Sequence, residues 1–253
     1  MTTTEITHGS LFTGLGGFDF AALRCGIKTL WQCENNKFCN KFLDTLFPET
    51  IKFNDIYNFD YDTAQKVNII SGGFPCQDIS VNGVGKGLSG EKSSAVFKQL
   101  EIIEEMRPDF AIFENSPILI TRGLDDILRH LTAIGYNAEW RCISAKDFGY
   151  RHERTRLFIV AHPTARRQKS RIFKPIETIQ VHEYTPTEAL LRINAAPCHT
   201  DGNYYDLCGV HGLPRNFRKV IGGFGNAVNV TCAEYVFRCI IKFIEENNHV
   251  SIT

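Results

Sequence analysis

Cys76 stands at the end of the run Ile70-Ser71-Gly72-Gly73-Phe74-Pro75-Cys76-Gln77, an apolar stretch that reads as a buried strand opening into a turn. Open α/β sheets place their chemistry just past the carboxyl ends of such strands. Pro75 stiffens the backbone beside the thiol, because its φ is held near about −65°. A thiolate at that point could act as a nucleophile, although a lone cysteine is more often a buried structural thiol. Glu114, in Glu114-Asn115-Ser116-Pro117, closes another short apolar run and could hold or deliver a proton. Arg154 and Arg156 alternate along a strand-like segment, so both side chains face one side, where they could bind an oxygen that gains negative charge. The plain alternatives are a structural carboxylate–arginine pair and a solvated surface pair.

A second group surrounds the glycine turn Phe12-Thr13-Gly14-Leu15-Gly16-Gly17-Phe18. Glycines after a first strand let a ligand approach the backbone and open a helix N-terminus beneath it. Asp19 occupies the place of the third glycine of a dinucleotide-binding turn, so an adenosine ligand carrying a carboxylate is favoured over a diphosphate. Glu34 follows Gly14 by 20 residues, at the end of the next strand, where an acid can accept hydrogen bonds from both ribose hydroxyls. Asp55, followed by Ile56, is the candidate partner for an adenine amino group. The glycine turn and Glu34 would also fit a nicotinamide-linked oxidoreductase, which leaves Cys76 and Glu114 unexplained.

Elements that alternate strand, turn and helix must position these side chains. Strands are expected at 7–12, 29–33, 67–73, 110–113, 138–143 and 156–161. Helices are expected at 18–24, 37–47, 94–106 and 124–134, with a final helix carrying Val230, Ala233, Phe237, Ile240, Ile241 and Ile244 on one face. The alternation predicts an α/β fold, a largely parallel sheet with helices on both faces. Gly83, Gly85, Gly87 and Gly90 mark a long loop after Cys76. The stretch from Pro163 to Arg215 is richer in proline and polar residues and reads as a small irregular lobe. The expected organisation is therefore 1–162, a small region 163–215, and a return to the first domain over 216–253.

The chain of 253 residues is 43% hydrophobic, enough to bury a full core. Its nine cysteines include no Cys-x-x-Cys pair and no zinc spacing with histidine, so reduced thiols and no structural metal are expected. No apolar run has the length of a membrane span, and Met1 to Glu5 lack a secretory pattern, so a cytoplasmic chain without membrane contact is expected. The formal net charge is zero, but ten Arg/Lys lie between Arg141 and Lys174 against Asp147 and Glu153. That asymmetry suits a phosphate-contacting face or a solvated surface.

Taken in order, these motifs resemble the DNA (cytosine-5) methyltransferase family of prokaryotes and phages. Phe12 to Gly17 resembles its S-adenosylmethionine turn, Gly73-Phe74-Pro75-Cys76-Gln77 its nucleophile motif, and Glu114-Asn115 its Glu-Asn-Val motif. Arg154-Thr155-Arg156 resembles the end of its Gln-x-Arg-x-Arg motif, and Gly225-Asn226-Ala227-Val228 its last motif. The resemblance implies a class I, Rossmann-like S-adenosylmethionine-dependent methyltransferase sheet with a small target-recognition lobe. It implies Cys76, Glu114, Arg154 and Arg156 as catalytic residues. Cofactor contacts are implied at Phe12, Gly14, Gly16, Gly17, Phe18, Glu34, Asp55, Ile56, Pro75, Asn226 and Val228. Double-stranded DNA would meet Gln77, Ser80, Lys86, Arg166, Arg167, Lys169 and Arg171. The implied reaction gives 5-methylcytosine and S-adenosylhomocysteine, through base flipping, in a solitary enzyme or one paired with a restriction endonuclease. The short lobe suggests a short or relaxed target, or a need for a second copy or partner. Ser116 stands where the family has valine, and His152 where it has glutamine. Asp78 adds a negative charge beside the nucleophile motif. A family using the same chemistry on tRNA, and a silent homologue that binds without turnover, remain alternatives.

Overall fold

A computed structural model describes residues 5–75, 94–150, 153–164, 170–181 and 228–248. One seven-stranded sheet organises them: β1 (Thr7–Leu11), β2 (Lys28–Cys33), β3 (Ile51–Phe53), β4 (Ile69–Gly72), β5 (Phe110–Asn115), β6 (Tyr136–Ser144) and β7 (Thr155–Pro163), in the spatial order β3-β2-β1-β4-β5-β7-β6. The pairings from β3 through β5 are parallel, and β7 runs antiparallel between β5 and β6. The chain winds outward from β1 to β3, then crosses back to β4 on the other side of β1. The crevice at the carboxyl ends of β1 and β4 is therefore a topological switch point, where open α/β sheets bind ligands. β4 and β5 are buried at every position, as strands covered on both faces must be.

The helices α1 (Gly17–Arg24), α2 (Lys37–Leu46), α3 (Ser94–Met106), α4 (Leu119–Arg122), α5 (Leu124–Ala133) and α6 (Val230–Asn248) cover this sheet. On one face, Phe18 of α1 and Phe237, Ile240 and Phe243 of α6 pack on Ile69, Phe110, Ile112, Phe158 and Val160. On the other, Val96, Leu100 and Ile103 of α3 and Ile127 and Leu131 of α5 pack on Ala111, Phe113, Leu157 and Ile159. Fully burying a Phe, Leu or Ile contributes about 1.5–3 kcal/mol, so the two helix layers hold the sheet from both faces. α1 and α6 are also tied by the buried Arg24–Glu234 ion pair at 3.4 Å. Among the described residues no helix is long and apolar enough to cross a membrane.

The expected elements are present within one to three residues at each end, and the sheet is largely parallel. β5 runs through Glu114 and Asn115 rather than stopping at Phe113, which places both side chains on a rigid strand. β3 and α4 were not expected, because three and four residues are too short to display a period.

One reading is corrected. Arg141 and Lys174, counted with the basic face, are bound within the molecule. The Arg141 guanidinium donates to Lys174 O and to the Tyr235 hydroxyl, each at 2.8 Å. Lys174 Nζ pairs with Glu246 at 2.5 Å, and Ile172 is fully buried against the α6 layer. Residues 170–181 are thus strapped to β6 and α6, and local charge density does not distinguish such a strap from a phosphate surface.

Candidate active site

The glycine turn leaves β1 through Phe12, whose φ of +51° is rare for a bulky residue. Gly14 (φ +58°) and Gly16 (φ +82°) continue the left-handed path that only glycine adopts freely, and α1 starts at Gly17. Gly17 also meets the chain returning to α6. A Cβ there would lie 2.5 Å from the Val228 carbonyl oxygen, and one at Gly73 would lie 3.4 Å from Val228 Cγ2. Val228 therefore sits between the ends of β1 and β4, from which the chain enters α6 through the Asn229 cap, whose Oδ1 accepts from Cys232 N at 3.0 Å.

Acidic side chains line the ends of β2 and β3. Glu34 Oε2 accepts from Gly14 N at 2.7 Å, and Oε1 accepts from Asn36 N at 2.8 Å. The carboxylate thus buttresses the turn itself. Each oxygen keeps a further lone-pair direction, so a diol can still donate to it. Asp55 caps a short 3₁₀ turn, accepting from Tyr57 N at 3.0 Å and Asn58 Nδ2 at 2.7 Å. Ile56 is buried beside it, while Tyr57 is half exposed.

Glu114 is a buried polar group on the face that carries Phe110 and Ile112, in place of a third apolar residue. It stands opposite Phe158 in the β5–β7 register. Arg156 lies two residues before Phe158, on the same face, so the antiparallel β7 delivers its first residues to the carboxyl end of β5. Arg156 Nε reaches Glu114 Oε1 at 3.0 Å. The contact lacks hydrogen-bond alignment, and among the described residues no donor is aimed at Oε1. Burial raises Glu114 above the ordinary carboxylate range, and the charges of Arg156 and Arg154 oppose that shift without cancelling it. The result is a carboxyl inclined to keep its proton, next to two fixed cations. Such a group can protonate a base nitrogen while the arginines hold a neighbouring oxygen.

The end of β4 fits beneath this carboxyl. A Cβ on Gly73 would lie 2.8 Å from Glu114 Oε2, so any larger residue there would push the carboxyl aside. Phe74 is buried and Pro75, the last described residue of this segment, is exposed. The structure thus brings together Phe12, Gly14, Gly16, Gly17, Phe18, Glu34, Asp55, Ile56, Pro75, Glu114, Arg154, Arg156 and Val228 along the carboxyl edge of the sheet. Arg171 is exposed in the strap, between Ser170, which donates to Glu246 of α6, and Ile172, whose N–H donates to Glu139 of β6. Cys76, Gln77, Ser80, Lys86, His152, Arg166, Arg167, Lys169 and Asn226 lie outside the described residues.

Sequence reasoning missed the buried partners of this edge. Asn115 donates from Nδ2 to Phe74 O at 3.0 Å, and Gln99 of α3 lies flat against Gly72. Asp19 is buried under the glycine turn, accepting from Ser10 Oγ at 3.1 Å and Gln32 Nε2 at 2.8 Å. The available signal was the position of polar residues at core spacing. Among the described residues no group of three or more His, Cys, Asp or Glu could hold a metal ion.

Comparison with known proteins is consistent with this arrangement. The sequence pattern of the family described as C-5 cytosine-specific DNA methylase matches residues 6–216. The type II methyltransferase M.CviJI of Paramecium bursaria Chlorella virus IL3A is 29% identical over 231 residues, which is 84% of this chain and 58% of that protein. The type II methyltransferase M.DsaV of Dactylococcopsis salina is 32% identical over 184 residues, 70% of this chain and 52% of that protein. The chain spans about half the length of the curated relatives it matches. Among solved structures, the Entamoeba histolytica methyltransferase EhMeth superposes with a TM-score of 0.67 at 14% identity, covering 95% of this chain and 99% of that one. That likeness is one of fold, the class I methyltransferase sheet.

Proposed function

The chain belongs to the C-5 cytosine-specific DNA methylase family, and from that premise we propose that it transfers the methyl group of S-adenosylmethionine to C5 of cytosine in duplex DNA. The observation that carries the proposal is Glu114: a buried carboxyl with a raised pKa, facing Arg156, directly over the strand end that leads to Cys76.

The residues fit the methyl donor. Glu34 offers free acceptor positions for a ribose diol, Asp55 stands at the next strand end, and Val228 closes the space between Gly17 and Gly73. Asp19, buried in the first turn of α1, disfavours a diphosphate there. Bound, S-adenosylmethionine supplies an electrophilic methyl on a sulfonium.

The protein's task is to make cytosine C5 nucleophilic. The ring is electron-poor, and C5 becomes enamine-like only after a nucleophile adds at C6. In this proposal the Cys76 thiolate forms the S–C6 bond, and the displaced electron density moves toward N3 and O2. Glu114, protonated, gives its proton to N3, and Arg154 and Arg156 bind O2. After C5 gains the methyl, a base removes the C5 proton, the electrons of that C–H bond expel the Cys76 thiolate, and N3 returns its proton to Glu114. The products are 5-methylcytosine and S-adenosylhomocysteine. Since C6 is buried in a stacked duplex, the base must be flipped out. We place DNA phosphates against Arg166, Arg167 and Lys169, with Gln77, Ser80 and Lys86 near the flipped base; Arg171, in the strap bound to α6, is left off this face. The type II names of the relatives support pairing with a restriction endonuclease.

The test is transfer of labelled methyl to mixed-sequence duplex DNA, with a tRNA pool run in parallel and the methylated base identified by mass. Label in DNA as 5-methylcytosine is the expected result. Label confined to tRNA would move the substrate to RNA, and none anywhere, with cofactor bound, would favour a silent binder.

A further inference from the structure

We propose that Gln99 and Asn115 are positioning residues that fix the carboxyl end of β4, and through it the Cys76 thiol; the inference rests on the methyl-transfer reading above. Gly72 and Gly73 each receive a side chain, from opposite faces of the sheet. The Gln99 amide presses on Gly72, where a Cβ would lie 2.7 Å from its Oε1 and 2.8 Å from its Nε2. Glu114 presses on Gly73 from the other side. One residue further, Asn115 Nδ2 donates to the Phe74 carbonyl at 3.0 Å, and Asn115 Oδ1 is itself held by Ser116 N at 2.7 Å. The last backbone carbonyl but one before Cys76 is therefore pinned by a side chain that is rigid at both ends.

Gln99 is unusual for its place. It is fully buried on the α3 face among Val96, Leu100 and Ile103, where an apolar residue would pack without polar loss. Its Nε2 donates to Ile112 O at 3.2 Å, but among the described residues its Oε1 has no hydrogen-bond partner. A buried acceptor left unsatisfied weakens the fold. Glutamine there stabilises less than methionine of similar shape, yet it ties α3 to β5 across Gly72, at the base of the nucleophile turn. Polar residues that weaken a core while bracing a site belong to the activity side of the stability–activity balance.

The experiment compares wild type with Gln99→Met and Asn115→Asp. The second variant keeps the shape and the bond to Ser116 N but loses the N–H given to Phe74 O. Methyl-transfer kcat, cofactor KM, melting temperature and the alkylation rate of Cys76, read by peptide mass, are measured for each. Gln99→Met is expected to melt at or above the wild-type temperature while kcat falls at least tenfold. Cofactor KM should stay within twofold and Cys76 alkylation should change at least threefold. Asn115→Asp should change kcat and alkylation in the same way. Unchanged kcat and alkylation in both variants would overturn the proposal, as would losses that merely follow a lower melting temperature. A wild type that methylates nothing would instead refute the reading of the activity, and the alkylation rates would still decide the positioning role.

Discussion

Asp19→Asn isolates a proton-linked weakness under the glycine turn. Asp19 is 1% exposed, and burial pushes its carboxyl up to about 6, against the opposing hydrogen bonds from Gln32 and Ser10 and the charge of Lys52. In the unfolded chain it titrates near about 3.9. The folded protein therefore binds this proton more tightly than the unfolded chain does. Its contribution to stability is greatest below the unfolded pKa and is lost as pH rises to the folded value. A shift of about two units corresponds to about 3 kcal/mol lost between roughly pH 4 and pH 7. Asparagine can keep both contacts: its Oδ1 accepts from Gln32, and its Nδ2 donates to a Ser10 hydroxyl that turns to accept. The stability difference between variant and wild type should thus be small at pH 4 and grow to about 3 kcal/mol by pH 7, or about 6–12 °C for a domain of this size. Urea and thermal unfolding of both proteins at pH 4, 5, 6 and 7 measure it. A difference that is constant across pH would refute the reasoning, because the charge would then not be what is buried.

Other substitutions test the site. Glu114→Gln should lower methyl transfer by about 10²–10⁴-fold. The variant should be at least as stable as wild type at pH 8, since a carboxyl with a raised pKa weakens the fold once ionised; near-normal turnover would remove Glu114 from the chemistry. Gly17→Ala puts a methyl 2.5 Å from the Val228 carbonyl and should weaken S-adenosylmethionine binding at least tenfold by calorimetry. An unchanged affinity would show that Val228 does not close the pocket. Arg141→Met removes hydrogen bonds to Lys174 O and Tyr235 OH and should lower stability by about 1–3 kcal/mol, leaving the salt dependence of DNA binding alone. A slope reduced by about one unit would instead put Arg141 on a phosphate.

The elements were largely legible because their patterns are strong. Buried parallel strands such as β5, with Phe110 to Phe113, read as unbroken apolar runs, and α3 and α6 repeat apolar residues at helical spacing. The site was legible where its residues sit at strand ends: Glu34 and Glu114 each follow an apolar run. Their partners were not, because they depend on register. Arg156 meets Glu114 only because β7 is antiparallel and offset by two residues, which the sequence of β7 does not encode. Gln99 and Asn115 look like ordinary helix and strand residues until Gly72 and Phe74 are set against them. The basic run misled because Arg141 and Lys174 find partners on α6, almost a hundred residues away in the case of Tyr235.

Covalent capture tests the central claim most directly. A duplex carrying 5-fluorocytosine has no C5 proton to lose, so a thiolate that has added at C6 cannot leave by elimination once the methyl is in place. Incubated with S-adenosylmethionine and the protein, this duplex should yield an adduct that maps by mass to the peptide bearing Cys76 and is absent in Cys76→Ser, whose turnover on ordinary cytosine should fall at least about 10³-fold. Efficient methylation of ordinary duplex by wild type with no adduct on the fluorinated one, or near-normal turnover by Cys76→Ser, would contradict the account.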